Sequence, residues 1–524
     1  MGALRPLPPD RRNRPDPDRR VSTPPDAAAA DGEITRGDVA RGAGLAGLAR
    51  LSALVEALAQ PIYTWLFGLA GYGVYAGLWG AVNLLSNIVD LSMTSALQRI
   101  VPAEDDEERI HGVVKAALLM AMAAAVLIAL LISWQADAVA AIFPEEGLGE
   151  DLPRKIAIFI WALPLWTFIE VATSAARARR AFGPEIRIRL FWEQIARVVF
   201  AIGVFLIGLR SLGLVVAHLC SLALTATLCV ALLGRYYSLR RLVRASLPRP
   251  QIRALLWTGL ALLPAAVSRR LLIDAPPFVL NLTTGPAAAG LFEIARKIST
   301  VPLAVRQAFQ YVMAPLASAQ AGIDRARIAP LYHFASRVST ALVVPLAGLL
   351  IFAGTDILSL YRHEARAALP LLYILVTARG IEAIVGPATP IVEMTGHRIL
   401  PLVNSLVGVL VWALVALLLV PRHGALGMAV AVAVATVVIA YAATLELQLS
   451  DRLSPFDRKL FQGLAAALAG DGLMATAEYW LDGPVRFGLV TCLWAGTSWL
   501  ALRFGLTRPD RQALGKLSRK LRLV

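Results

Sequence analysis

Apolar runs of about 20 residues, separated by short polar or basic segments, recur from near residue 39 to near residue 505. A run of that length crosses roughly 30 Å of hydrocarbon as an α-helix. Because lipid offers no partner to backbone N–H and C=O groups, such runs must be helical, and they are too long for the alternating strands of an outer-membrane barrel. The pattern predicts spans at about 39–66, 72–98, 112–134, 155–176, 190–209 and 212–234, then 255–283, 286–318, 335–361, 366–394, 399–420 and 424–448, then 460–481 and 484–505. The expected fold is all-α, a polytopic membrane protein of about fourteen transmembrane helices. Two pseudo-symmetric six-helix lobes, residues 37–234 and 255–448, flank a basic connector at 235–254, and two further helices occupy 449–505.

Composition strengthens this picture, since 57% of the residues are hydrophobic and the mean hydropathy is +0.64, above the values of soluble domains. A net charge of +15 would suggest nucleic acid in a soluble protein, but here the basic residues cluster in short loops. Arg177, Arg179, Arg187 and Arg189 follow the fourth span, and Arg235, Arg240, Arg241, Arg244, Arg249 and Arg253 follow the sixth. Both clusters fall on the side that the positive-inside rule makes cytoplasmic. Both termini are therefore expected in the cytoplasm and no nucleic-acid partner is expected. Residues 1–36, rich in Pro, Asp and Arg, read as a disordered basic cytoplasmic tail, and 506–524 as a second basic tail. The cysteines at 220, 229 and 492 lie inside apolar runs without ligand spacing, which argues against a metal site or a disulfide framework.

Sliding the sequence by about 213 residues places Gly77-Leu78-Trp79 on Gly290-Leu291-Phe292 and Pro102 on Pro315, the mark of a parallel repeat. Ionisable and amide groups inside the spans then become informative, because at bilayer depth they face a cavity or one another. Asn83, Asn87, Asp90 and Thr94 fall on one face of the second span, and Glu293, Arg296, Thr300, Gln307 and Gln310 form a stripe on the eighth. The same offset maps Asn83 onto Arg296. The intramembrane cations are Arg50, Arg269, Arg270, Arg296, Lys297 and Arg306. Asp274 and Glu293 can pair locally with some of them, while Arg50, Arg269 and Arg306 have no acidic neighbour one turn away. Surplus guanidinium groups point to an anionic ligand, and a diphosphate suits their paired donors. Asp90, Asp274, Glu293 and Glu56 are the candidates for H⁺ or Na⁺ coupling, and no other cofactor and no metal is expected.

The segments LFGLAGYGVYAGLWGAVNLLSNIVDLSMTSALQRIVP (66–102), ARKIST leading to MAPLASAQ (295–320), LYHFASRVSTALVVPLAGLLIFAGTDILSLY (331–361) and EMTGHRILPLVNSLVGVLV (393–411) carry a resemblance. Across about residues 37–505 the chain resembles the Wzx-type polysaccharide flippases of the multidrug/oligosaccharidyl-lipid/polysaccharide transporter superfamily. The resemblance implies an inner-membrane flippase that moves undecaprenyl-diphosphate-linked oligosaccharide units to the periplasmic leaflet by alternating access, for exopolysaccharide or O-antigen synthesis. It implies membrane lipids, a polysaccharide polymerase and a chain-length regulator as partners. The cations above, with Asn83, Asn87, Gln307 and Gln310, would line the substrate cavity. A lipid II flippase and a multidrug exporter of the same superfamily are the alternatives. A membrane polymerase or ligase is disfavoured, because the longest external loop, about 135–154, has no histidine and no paired catalytic carboxylates.

Overall fold

The computed structural model describes residues 36–144, 151–179, 183–246, 249–303, 305, 328–394, 399–514 and 516–522. The N-terminal tail, the acidic loop at 145–150, and Arg306, Gln307 and Gln310 lie outside the described residues. Residues 1–47 form one unit, of which only the start of the first helix is described, and residues 48–524 form the second, which carries everything that follows.

No strand occurs among the described residues, and ten helices are long and apolar enough to cross a bilayer. The principal helices are α1 (Arg36–Val89), α2 (Glu107–Trp134), α3 (Ala162–Ala178), α4 (Glu193–Leu206), α5 (Gly213–Tyr236) and α6 (Arg249–Thr283). They continue with α7 (Pro286–Ser299), α8 (Ala329–Phe352), α9 (Leu369–Ile384), α10 (Leu400–Ser450), α11 (Arg458–Trp480) and α12 (Gly483–Gly505). Ten is fewer than the fourteen spans predicted because α1 and α10 each cover a pair of predicted spans, joined at a non-helical break that coincides with the predicted boundary, and among the described residues α4 and α7 are short. Helix α1 breaks direction at Gly68 (φ 77°) and α10 at Gly424 (φ 52°), conformations that glycine adopts without a Cβ penalty. Helix α4 is shortened by the π-helical turn Ile186–Trp192 before it, and α7 ends at Ser299.

The second predicted span is not one continuous helix, so its expected polar stripe is not a single face. Helix α1 ends at Val89, Leu91 and Ser92 take the left-handed conformation (φ 49° and 55°), and a new helix starts at Met93. The Asp90 carboxylate accepts from the Thr94 N–H (3.4 Å) and hydroxyl (2.9 Å), satisfying groups freed by the break. Asn83 therefore lies on a different helix from Thr94.

Helices from each half of the sequence pack chiefly on their own kind. Helix α3 packs on α2 and α5, and α5 on α4; in the second half α6 and α9 pack on α10, and α7 and α8 on α9. Helices α11 and α12 pack on each other and on α8. The halves meet where α1 crosses the α6–α7 turn. A Cβ at Gly73 would overlap the carbonyl of Pro286, one at Gly77 the side chain of Asn281, and Asn281 Nδ2 donates to the Gly73 carbonyl (2.9 Å). Small residues let the backbones approach, the usual device for joining helices in lipid, where apolar burial gives no drive.

Candidate functional site

One helical turn beyond this glycine seam the halves separate around a cavity of about 210 Å³. Five cationic side chains (Arg189, Arg197, Arg270, Arg296, Lys297) and four acidic ones (Glu56, Glu193, Asp274, Glu293) line it, together with Asn83, Trp79 and Trp166. Their placement follows from local structure. Arg296 and Lys297 sit in the last turn of α7, and Arg270 and Asp274 are one turn apart on α6, a helix interrupted by Pro264, Pro276 and Pro277. Arg189 belongs to the π-helical turn, an insertion of a kind that recurs at functional sites.

The charges are tied in two ways. Some pairs stay within one helix. Arg296 donates to both Glu293 oxygens (2.7 and 2.6 Å), Arg270 Nη1 lies 3.5 Å from Asp274 Oδ2, and Arg197 donates to Glu193 Oε1 through Nε (3.0 Å) and Nη2 (2.6 Å). Two other pairs join the halves of the sequence: Lys297 with Glu56, and Arg270 Nη2 with Glu170 Oε1 at 3.5 Å. Glu170 also accepts from Arg189 (2.7 Å) and from Ser86 (3.1 Å), and Arg189 stacks over Trp166 at 4.4 Å.

The cavity thus brings together seven residues named from sequence, Asn83, Glu56, Arg270, Asp274, Glu293, Arg296 and Lys297. Other residues are placed elsewhere. The Asn87 amide donates to the carbonyl of Asn83 in its own helix (2.8 Å), Asp90 is engaged by Thr94, and Arg269 does not line the cavity. Arg50 is in α1, with its side chain outside those described. Arg270, Arg296 and Lys297, the cations with an acidic neighbour one turn away, each face a carboxylate in this conformation, and Arg270 and Lys297 each meet a further one from the other half of the sequence. The physical reason is the cost of an unpaired charge at bilayer depth.

Sequence reasoning missed Arg189, Glu193 and Arg197. Arg189 was read as a loop cation, although it is in a helix. The Glu193–Arg197 pair did leave a signal, an acid and a base four residues apart inside a predicted span, which is the pattern that singled out Arg270 and Asp274.

Residues 65–362 match the family described as "Polysaccharide biosynthesis protein". No curated protein matches the chain in sequence. In fold it is similar to the structure described as "Lipid II flippase MurJ, inward closed conformation" (TM-score 0.69, 11% identity, 88% of this chain and 98% of that one). It is also similar to an inward-facing multidrug resistance MATE family transporter of the MOP superfamily (TM-score 0.58, 14% identity, 78% and 93% covered). A third similar structure is MATE in complex with MaL6 (TM-score 0.57, 14% identity, 77% and 95% covered). These likenesses show that the chain shares the fold of those structures.

Proposed function

Because this multi-pass membrane protein belongs to the polysaccharide biosynthesis protein family, we propose that it flips a prenyl-diphosphate-linked oligosaccharide from the cytoplasmic to the periplasmic leaflet of a bacterial inner membrane. Both termini are cytoplasmic in this reading. The turn near Gly68 and the glycine seam then lie toward the periplasm, and the cavity lies below the seam, closed to the outside.

The observation that carries the proposal is the pair of ion contacts spanning the halves, Lys297–Glu56 and Arg270–Glu170. When the halves separate on the cytoplasmic side these two contacts part, while Arg296–Glu293 and Arg270–Asp274, each within one helix, remain. Lys297 and one edge of Arg270 become available, and a diphosphate takes the place of Glu56 and Glu170. Guanidinium and ammonium donors suit phosphate oxygens in a space shielded from bulk water. At about 210 Å³ the cavity is smaller than pockets that enclose drug-sized ligands, roughly 300–1,000 Å³. An oligosaccharide therefore passes only in an opened state, with the prenyl chain remaining in lipid. A polymerase and a chain-length regulator would receive the product.

Lipid II flippase activity is the second reading, favoured by the similarity that spans 98% of that flippase structure. It shares the prenyl-diphosphate chemistry and differs in the glycan. The test is reconstitution in vesicles with a prenyl-diphosphate disaccharide carrying a reducible fluorophore on the sugar. Protein-dependent exposure of inner-leaflet fluorophore to external dithionite is expected, and exposure equal to that of protein-free vesicles would overturn the proposal.

A further inference from the structure

Glu193 begins α4 and is 1% exposed, and the donors around it converge on one oxygen. Oε1 accepts from Arg197 Nε and Nη2 and from the Ser221 hydroxyl (3.2 Å). His218, fully buried on α5, places Nε2 3.6 Å from that same oxygen, and this nitrogen has no hydrogen-bond partner. The other ring nitrogen, Nδ1, is 3.1 Å from the Tyr75 hydroxyl, which also accepts from Arg197 Nη1 (3.1 Å). The imidazole is thus held at one nitrogen and left open at the other, facing a carboxylate that a guanidinium already occupies.

We infer that His218 is a proton-binding site that controls Arg197 and, through it, the anion affinity of the cavity. A proton on Nε2 forms a charge-assisted hydrogen bond to Glu193 Oε1 and competes there with Arg197. Charge balance gives the consequence. Before protonation Glu193 and Arg197 neutralise each other; afterwards the imidazolium neutralises Glu193 and the positive charge of Arg197 is left for the cavity it already lines. One proton and one negative charge of the ligand are then bound together, and linkage makes each favour the other. This coupling rests on the diphosphate reading above; the proton site itself does not.

The surroundings restrict which groups can answer the proton. Helix α4 contributes Glu193 and Arg197, and α1 contributes Tyr75 and the uncharged Trp79, whose ring lies 4.3 Å from the imidazole. Leu152–Phe159 contributes Phe159, ring to ring at 5.7 Å. The elements packed against α5 also carry Glu170 and Arg177 of α3, Arg187 and Arg189 of the π-helical turn, and Arg154 and Lys155 of Leu152–Phe159; Glu170 pairs with Arg189, Arg177 pairs with Glu185, and none of the six lies within ion-pair distance of His218.

Trp79 supplies a reporter, because an imidazolium beside an indole quenches its emission. The full-length purified protein, its His218→Gln variant and its Trp79→Phe variant are titrated from about pH 8 to about pH 4, a window that extends below the one in which an exposed histidine exchanges its proton. Inorganic pyrophosphate binding is measured in parallel by calorimetry in buffers of different ionisation enthalpy. Expected is an emission step on acidification that is absent from both variants, and about one more proton taken up per pyrophosphate in the unmodified protein than in His218→Gln. Its affinity advantage over His218→Gln should grow with acidification by up to about tenfold per pH unit; referring each value to His218→Gln cancels the titration of pyrophosphate itself. An emission step retained in His218→Gln, or equal proton uptake by the two proteins, overturns the inference. Should pyrophosphate fail to bind at any pH while the emission step is present, the diphosphate reading and its coupling fall and the proton site stands. If His218→Gln does not fold, Tyr75→Phe, which removes the Nδ1 contact, must shift the midpoint of the step; an unmoved midpoint overturns the site.

Discussion

The central cavity and the C-terminal helices use the same ion-pair chemistry in opposite settings. Beside α11 and α12, Arg337 of α8 pairs with Asp457 and with Asp510 (2.5 Å), and Arg486 donates to Asp356 (2.8 and 3.1 Å). These contacts tie segments that are also closely packed, with Gly463 against Gly505 and Gly470 against Thr497, where an added Cβ would meet neighbouring atoms. In the cavity, Lys297–Glu56 and Arg270–Glu170 border open space instead. Pairs embedded in close packing cannot separate without opening it; pairs across a cavity can exchange a carboxylate for a ligand. In the proposed mechanism the same bond is a fastening in one region and an exchangeable contact in the other.

The most severe way to break this comparison is Arg296→Glu, which sets a second carboxylate beside Glu293. Uncompensated buried charge costs about 3–5 kcal/mol, so polymer export should fall by a factor of ~100 or more while the protein still inserts in the membrane, as immunoblotting of membranes would show. The next contrast turns on sign. If Glu56 competes with the ligand for Lys297, Glu56→Gln should tighten pyrophosphate binding by about tenfold and Lys297→Gln weaken it by about as much, differences of ~1.4 kcal/mol each way. Equal weakening in both variants would make the pair a plain fastening.

Arg337→Ala tests the other region. It leaves Asp457 and Asp510 without their cation, and a fall of roughly 2–4 °C in melting temperature is expected, with pyrophosphate affinity unchanged. Asp457 lies outside the spans, and although its burial works in the opposite direction, the Arg337 contact and the Leu460 N–H hold its carboxyl below the ordinary value. A depressed folded-state value means that its stabilisation is full above the unfolded value, near pH 4, and is lost as pH falls through the folded one. Acidification should therefore lower the melting temperature more in the unmodified protein than in Arg337→Ala. Smallest of all, Asn87→Ala should leave export within about twofold, since its amide serves the carbonyl of its own helix.

Most of the fold was legible in the sequence because apolar length is a local property, and lipid leaves the backbone little choice. The breaks were less so. Those at Gly68 and Gly424 coincide with predicted span boundaries, whereas the one at Leu91 and Ser92 is hidden inside a predicted span, because neither residue type favours the positive φ it adopts. Of the site, the residues on α6 and α7 could be read because an acid and a base one turn apart stand out. Partners distant in sequence could not. Glu56 meets Lys297 across 241 positions and Glu170 meets Arg270 across 100, contacts fixed by how the glycine seam docks the halves.

The most direct test of the central claim is the leaflet on which lipid-linked oligosaccharide accumulates when the gene is deleted, assayed in spheroplasts with a membrane-impermeant probe. Intact units trapped on the cytoplasmic leaflet, released by the unmodified gene and not by Arg296→Glu, are the expected result. Units that reach the periplasmic leaflet at the normal rate and remain unpolymerised there would contradict it.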